Sequence, residues 1–387
     1  MSDDGHRVAR VDVARRFLPF VNPLVTGAGE IDGRDVSLVS VTDRDGRQGW
    51  GEAAPLPGWG VGELSEIESW IAAVQGRLVD VEPDLAAPPL GWVSPASPQV
   101  PSAGANAVVS ALADLRAQQL DVPLAVLLAR LSSAAGPPPD RVGSNVPNAV
   151  PVNALIGALD RDASVAAATE AVSQGFRTLK CKVGVGAAGA DAERIRAVAS
   201  AATARAGEPV KVRVDANGAW SPDEAVEFAT ALDGLVLEWI EDPVPVDQLH
   251  EVGLALQPRV ATEWRADSRH LSLLESGSVN VVIAKLPLIG GALPAMASAE
   301  AVADRGGHVV ITTFLGSSIG IHGALHVAAA LEAVGLAGSS GGFGVAHGLA
   351  TASLLAEDLA PAPEIVEGQM LVPSGPGLGA EPLNVDS

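Results

Sequence analysis

The sequence predicts an α/β protein: a modified, TIM-like (β/α) barrel carrying an N-terminal α+β capping domain. Three observations predict it. From Val150 onward, short apolar runs of strand length alternate with helical patterns, the order that puts parallel strands in one sheet with helices outside it. Five ionisable positions close such runs: Lys182 (within Lys180-Cys181-Lys182), Asp215, Glu241, Glu263 and Lys285, spaced 33, 26, 22 and 22 residues apart. Each step has room for about one strand and one helix. Residues 8–55, by contrast, alternate in the manner of antiparallel strands.

In the cap, Val11 and Val13 begin one strand, 36–41 form another, and Asp45-Gly46 is a hairpin turn leading to Trp50-Gly51-Glu52. Helices are expected over about 62–79 and 101–129. Pro/Ser-rich stretches at 87–101 and 132–151 are loops, and the second marks the domain boundary. Residues 1–149 are therefore the capping domain and 150–349 the barrel, with about 350–387 returning to the cap. Barrel strands are expected near 152–155, 177–183, 210–215, 236–241, 259–263, 279–285 and 308–313, and a less distinct eighth near 341–349. Helices fall at 163–174, 191–206 and 222–232, the last opened by Ser221-Pro222 as N-cap and first-turn pair. Seven such units favour a closed barrel over an open doubly wound sheet.

The 387 residues suffice for a barrel of about 250 residues plus a smaller domain. A hydrophobic fraction of 48% and a mean hydropathy of +0.27 point to a large core. No uninterrupted apolar run reaches the length of about 18 residues that a membrane span needs. The stretch 319–336 comes nearest, and His322, His326 and Glu332 mark it as a buried helix with polar edges. A net charge of −21 excludes nucleic acid as partner, since phosphate binding needs a concentrated basic surface. The N-terminus lacks the basic-then-apolar layout of a secretory signal, so a cytoplasmic location is expected. Cys181, the one cysteine, leaves no intrachain disulfide or Cys-rich zinc site. His322 and His326 stand four apart on a helix, but no third ligand accompanies them.

Parallel barrel strands all end on one face, so the five positions converge on one mouth. Strand alternation sends Lys180 and Lys182 inward and Cys181 toward the helices. A lone acid at a strand end is often a helix N-cap or loop salt bridge. Recurrence on three successive strands argues instead for a shared site. Three carboxylates completed by water and substrate oxygens suit Mg²⁺, whereas zinc normally recruits His or Cys.

The ordered set of motifs carries a family resemblance. It includes the run from Gly49 to Gly58 in the cap, Val150-Pro151-Val152-Asn153-Ala154, Lys180-Cys181-Lys182, Asp215-Ala216-Asn217, Glu241-Asp242-Pro243 and Ala284-Lys285-Leu286-Pro287. The chain resembles the enolase superfamily in its muconate-lactonising branch, and within it is most similar to the o-succinylbenzoate synthases of menaquinone biosynthesis. The resemblance implies that Asp215, Glu241 and Glu263 hold Mg²⁺, which binds the substrate carboxylate. It implies that Lys182 removes the proton α to that carboxylate, that Lys285 stabilises the enediolate from across the cavity, and that Lys180 supports charge near the carboxylate. It also implies a small-molecule carboxylate as partner, contacted by Asn217 and by the turn of Gly316, Ser317 and Ser318, whose backbone N–H donors at a helix start suit its succinyl carboxylate. The nearest rival is an N-acylamino-acid racemase using the same two lysines. The Asp-x-Asp signature of dipeptide epimerases has no match over 341–348, and Lys285 disfavours a mandelate-racemase type. Two positions depart from the pattern: Glu263 replaces an Asp, with Asp267 a poorer substitute, and Gly316 replaces an acid. These departures motivate a third reading, a catalytically inactive barrel acting as a binding protein.

Overall fold

The computed structural model describes residues 3–26, 29–85, 100–132, 145–157, 160–256, 259–340 and 343–383. Most of the expected loops at 87–101 and 132–151 lies outside the described residues. The chain opens with an antiparallel meander of β1 (Val8–Thr26), β2 (Gly29–Asp43) and β3 (Gln48–Ala53). Its first two strands outrun the alternating segments because pairing continues from Val8↔Asp43 to Thr26↔Gly29, with a register break between Pro19 and Leu24. Asp45-Gly46 joins β2 to β3, with Gly46 at φ 86°.

Three helices complete the cap: α1 (Leu64–Leu78), α2 (Ser102–Gln119) and α3 (Leu124–Leu131). The single helix expected over 101–129 is thus two. Asp121 adopts φ 53° and Pro123 follows, so the chain leaves helical geometry and restarts with proline at the N-cap. The Gly49-Trp50-Gly51-Glu52 motif is a docking strip for α2. A Cβ on Gly51 would come 2.0 Å from the Ala107 carbonyl oxygen, and one on Gly49 2.1 Å from that of Ala111. Only glycine permits this approach. Polar contacts fix it: the Trp50 N–H donates to Asp114 Oδ2 at 2.8 Å and Asn106 Nδ2 to the Glu52 carbonyl at 3.1 Å.

The barrel sheet runs in order β5 to β11, all parallel: β5 (Ala154–Ile156), β6 (Thr178–Lys182), β7 (Lys211–Asp215), β8 (Trp239–Glu241), β9 (Val260–Glu263), β10 (Val281–Lys285) and β11 (His308–Thr312). A preceding strand, β4 (Ala149–Pro151), instead pairs with a C-terminal hairpin, Ile365–Val366 and Gln369–Leu371. Helices α4 (Arg161–Ser173), α5 (Ala188–Ala206) and α6 (Pro222–Ala231) follow β5, β6 and β7. Ser221 caps α6 in a reciprocal capping box with Glu224. Further round the barrel lie α7 (Leu249–Ala255), α8 (Ser268–Glu275), α9 (Leu286–Ile289), α10 (Ala292–Ala303) and α11 (Ser318–Ala333).

The expected eighth strand contributes only a short closing bridge. His347 donates to the Pro151 carbonyl and accepts from Asn153 N–H, while Gly348 donates to Ile311 and accepts from Thr313. This segment ties the first barrel strand to the last. The helix over 318–333 is buried along nearly its whole length, as its composition predicts. No described helix is long and apolar enough to cross a membrane.

His322 and His326 pack the C-terminal segment onto α11. His322 Nε2 meets the Pro361 carbonyl, and His326 bridges Ala125 N–H at Nδ1 and the Leu378 carbonyl at Nε2. Burial pushes the His326 pKa down to about 4. His347 is pushed down to about 3 by burial and by Arg213. Both rings are fully enclosed and neutral in the fold. The unfolded chain, with ordinary imidazoles near 6.5, binds protons that the fold refuses. The stability these rings contribute is therefore present above pH 6.5 and lost as pH falls toward 4, at up to about 1.4 kcal/mol per pH unit for each ring. Urea unfolding from pH 7.5 to 5 should show the decline, and His326→Gln should remove about one proton's share of the slope. A slope unchanged by that substitution would contradict this account.

Candidate active site

Every predicted ionisable position lies where a barrel strand ends. Register places Lys182 beside Asp215 and Asp215 beside Glu241 on adjacent strands, while Glu241 pairs with Ala261. Glu263 therefore stands two residues further toward the mouth on β9, and Lys285 two beyond its level, since Ile283 pairs with Glu263. Lys180 and Lys182 face inward and Cys181 is fully buried on the other side.

The three carboxylates are buried, Asp215 to 1%, Glu241 to 2% and Glu263 to 8% exposure. Burial without a counter-charge would be prohibitive, and each has one. Lys180 Nζ bridges Glu241 Oε2 at 2.6 Å and Asp215 Oδ2 at 2.9 Å. Lys182 Nζ donates to the same Asp215 oxygen at 2.6 Å and to Asn217 Oδ1 at 2.8 Å. Lys285 Nζ meets Glu263 Oε2 at 2.5 Å, and Arg265 Nη2 meets Glu263 Oε1 at 2.9 Å. Burial would raise the Asp215 pKa, but Lys180 and Lys182 outweigh it and hold this carboxyl well below its usual range. Burial would likewise lower Lys180, yet Asp215 and Glu241 raise it. Glu241 goes up, through burial and the adjacent Asp215 charge.

The donor set suits a hard divalent cation: three carboxylates paired, among the described residues, with ammonium and guanidinium groups. As the side chains stand, no three His, Cys, Asp or Glu residues among the described residues are grouped to hold one ion. Lys180 lies between Asp215 and Glu241, while Lys285 and Arg265 grip Glu263. Binding a cation thus exchanges these partners rather than filling a ready cage.

Asp242, which the motif analysis did not single out, is a further acid of the site. It adopts φ 39° just past β8, accepts from Thr262 Oγ1 at 2.6 Å, and receives Glu263 N–H at 3.3 Å. It therefore anchors the backbone of Glu263. Burial, with Glu241 and Asp215 close by, pushes its pKa up to about 7. Asp267 does not join the site. It caps α8, accepting from His270 N–H.

At the turn of Gly316, Ser317 and Ser318, expected to offer donors to a substrate anion, the two serines already have partners within the chain. Ser317 N–H donates to Glu52 Oε2 at 2.9 Å. Ser318 N–H and Oγ both donate to Asp358, at 2.8 and 2.6 Å. These donors are thus committed to the chain's own carboxylates, one from the cap and one from the C-terminal segment. Gly316 leaves room for that contact, since a Cβ there would lie 2.0 Å from Glu52 Oε1. The acid at the start of α11 is supplied by a remote residue.

The cap loop 55–60 reaches over the mouth. Trp59 sets its ring 4.6 Å from Lys285 Nζ and packs edge-on against Phe314 at 5.6 Å. Arg265 Nη1 donates to the Trp59 carbonyl at 2.8 Å, and buried Arg34 donates to the Ala54 and Pro55 carbonyls beneath the loop. Arg265 and Arg34 carry no motif signal; only their contacts reveal them.

Comparison with known proteins agrees with this architecture. The chain is 27% identical to the hydrophobic dipeptide epimerase of Enterococcus faecalis, covering 88% of this chain and 92% of that one. It is 27% identical to muconate cycloisomerase 1 of Rhodococcus opacus over 98% and 97% of the two chains. It is 33% identical to the o-succinylbenzoate synthase of Thermobifida fusca over 56% and 64%. A crystal structure of an enolase-superfamily member from Roseovarius nubinhibens, complexed with magnesium, superposes with a TM-score of 0.78 at 25% identity, covering 97% of this chain and 96% of that one. The family described as Enolase C-terminal domain-like matches residues 163–385, which span the lysines and carboxylates described above, and the chain belongs to the enolase superfamily.

Proposed function

We propose that the chain is a Mg²⁺-dependent o-succinylbenzoate synthase, which dehydrates 2-succinyl-6-hydroxy-2,4-cyclohexadiene-1-carboxylate to o-succinylbenzoate. The supporting observation is the placement of Lys182 and Lys285 on strands β6 and β10, four strands apart on one rim, with Asp215, Glu241 and Glu263 on the strands between. A proton α to a carboxylate is too weakly acidic for an amine unless the dianionic enediolate is stabilised in a water-poor site. Mg²⁺, held by Asp215, Glu241 and Glu263, would supply that stabilisation at the substrate carboxylate.

Lys182 takes the α-proton as a neutral amine. Its contacts with Asp215 Oδ2 and Asn217 Oδ1 hold its Nζ at the strand end where the α-proton would be taken. Lys285 faces the developing enediolate as a cation, and Trp59 and Phe314 keep that side of the site apolar. Lys180 balances charge between Asp215 and Glu241. The C6 hydroxyl leaves as water with the proton that Lys182 removed, and the ring becomes aromatic.

The synthase reading draws on the Thermobifida relative and on the lack of acids over 341–348, where dipeptide epimerases carry Asp-x-Asp. The near full-length match to a dipeptide epimerase favours a second reading, racemisation or epimerisation at an α-carbon by the same two lysines. The purified protein should be assayed with the cyclohexadiene substrate, an N-acylamino acid and a hydrophobic dipeptide, each with Mg²⁺ and with EDTA. Dehydration faster than either α-inversion, and abolished by EDTA, is the expected result. Robust metal-independent turnover would overturn the mechanism, and inversion without dehydration would overturn the synthase assignment.

A further inference from the structure

Two features of the mouth remain unused by this chemistry. Of the turn expected to receive a substrate's second anionic group, Ser317 N–H is engaged by Glu52 and Ser318 N–H by Asp358. Meanwhile Arg265 brings an additional cation to the same rim. It shares the Glu263 carboxylate with Lys285, so one negative charge serves two positive ones. Two of its five N–H donors are used, on Glu263 and on the Trp59 carbonyl, and a third of its side chain is open to solvent. The other rim cations are less available: Lys180 already bridges two carboxylates, Lys182 and Lys285 have roles at the α-carbon, and Arg34 is buried under the cap loop.

The surroundings of Arg265 also define what can reach it. Its guanidinium lies 6.0 Å from the centre of the Trp59 ring, and Trp59 packs on Phe314. An apolar segment can lie along this aromatic wall with an acid at its end. A planar guanidinium offers a carboxylate two parallel N–H donors, a fit that an ammonium lacks.

We propose that Arg265 receives a second, distal carboxylate of the substrate, so that the site selects dicarboxylates whose two acids are separated by an apolar segment lying against Trp59 and Phe314. The inference rests on the proposed chemistry for the first carboxylate and adds the recognition of the second. It also gives the cap loop a function in selectivity. Arg265 holds the Trp59 carbonyl, so the residue that reads the distal acid also secures the loop above it.

The test compares o-succinylbenzoate with 2-butyrylbenzoate, which replaces only the distal carboxylate by a methyl group. Calorimetric titration in Mg²⁺ is run on the wild-type protein, Arg265→Met and Arg265→Lys. The wild type should bind o-succinylbenzoate at least about tenfold tighter, in keeping with a charge-assisted hydrogen-bonded pair. Arg265→Met should bring the ratio close to one at saturating Mg²⁺, where any change in metal affinity or in the cap loop acts on both ligands alike. Arg265→Lys should keep part of the preference. A wild-type ratio near one, or a ratio that survives Arg265→Met, overturns the inference and leaves the proposed reaction standing. Failure of both ligands to bind the wild type would overturn the proposed reaction and the inference together.

Discussion

Lys182→Ala and Lys285→Ala should each lower turnover of the cyclohexadiene substrate by at least about 10³-fold, within the range for a lost general base or a lost electrostatic stabiliser. The fold should survive both changes. Asp215 loses one ammonium in Lys182→Ala but keeps Lys180 at 2.9 Å, and Glu263 keeps Arg265 in Lys285→Ala. Neither substitution therefore leaves a buried carboxylate without a counter-charge, which is the condition that makes such deletions strongly destabilising. The two variants should differ in one respect. α-Proton exchange with deuterated solvent should be lost with Lys182, the base, and reduced with Lys285 only as far as the enediolate is less stabilised. Near-normal kcat in either variant would remove that lysine from its role.

Glu263 governs the second large effect. A carboxylate within a few Å of a divalent ion contributes on the order of 4 kcal/mol per unit charge at moderate screening, part of which is offset by desolvation. Glu263→Gln should weaken Mg²⁺ binding by at least about 100-fold. Glu263→Asp should weaken it by about tenfold, because the site accommodates the longer side chain and a shorter one cannot reach the same point. Lys285 and Arg265 complicate the free protein in an informative way. Both compete for Glu263 before the ion arrives, so Arg265→Met should make Mg²⁺ bind tighter if Glu263 is a ligand. Isothermal titration with Mg²⁺ on the three variants decides the matter. Unchanged affinity in Glu263→Gln would exclude a ligand role and turn attention to Asp242, the half-buried acid that holds the Glu263 backbone.

Much of this protein was legible before any coordinate. The barrel strands fall within a few residues of their expected places because each is a short apolar run, five of the seven ended by a charged group, and such a pattern is complete within its own window. The inward direction of Lys180 and Lys182, with Cys181 turned away, follows from strand alternation alone. Ser221-Pro222 starts a helix because cap and first-turn chemistry is local. The break between α2 and α3 was less visible, since Pro123 sits in a stretch whose apolar pattern continues on both sides.

Partners were not legible, and partners decide the site. Ser317 N–H is an open donor by its sequence neighbourhood, but the fold delivers Glu52 to it from 265 residues away. The last strand is weak in sequence because, among the described residues, closure runs through four backbone hydrogen bonds of His347 and Gly348 and one from Ile311 N–H to His347 Nδ1, too short a run to show strand alternation. Trp59 and Arg265 gain their significance from one another and from Lys285, across the boundary between cap and barrel. The sequence by itself determined the barrel, the cap and the chemical identity of the groups at the mouth, because periodicity and side-chain type are properties of short segments. Only the tertiary structure decided which donors are already committed, which acids share a cation and which loop covers the lysines, because burial and charge pairing depend on segments that meet only when the chain is folded.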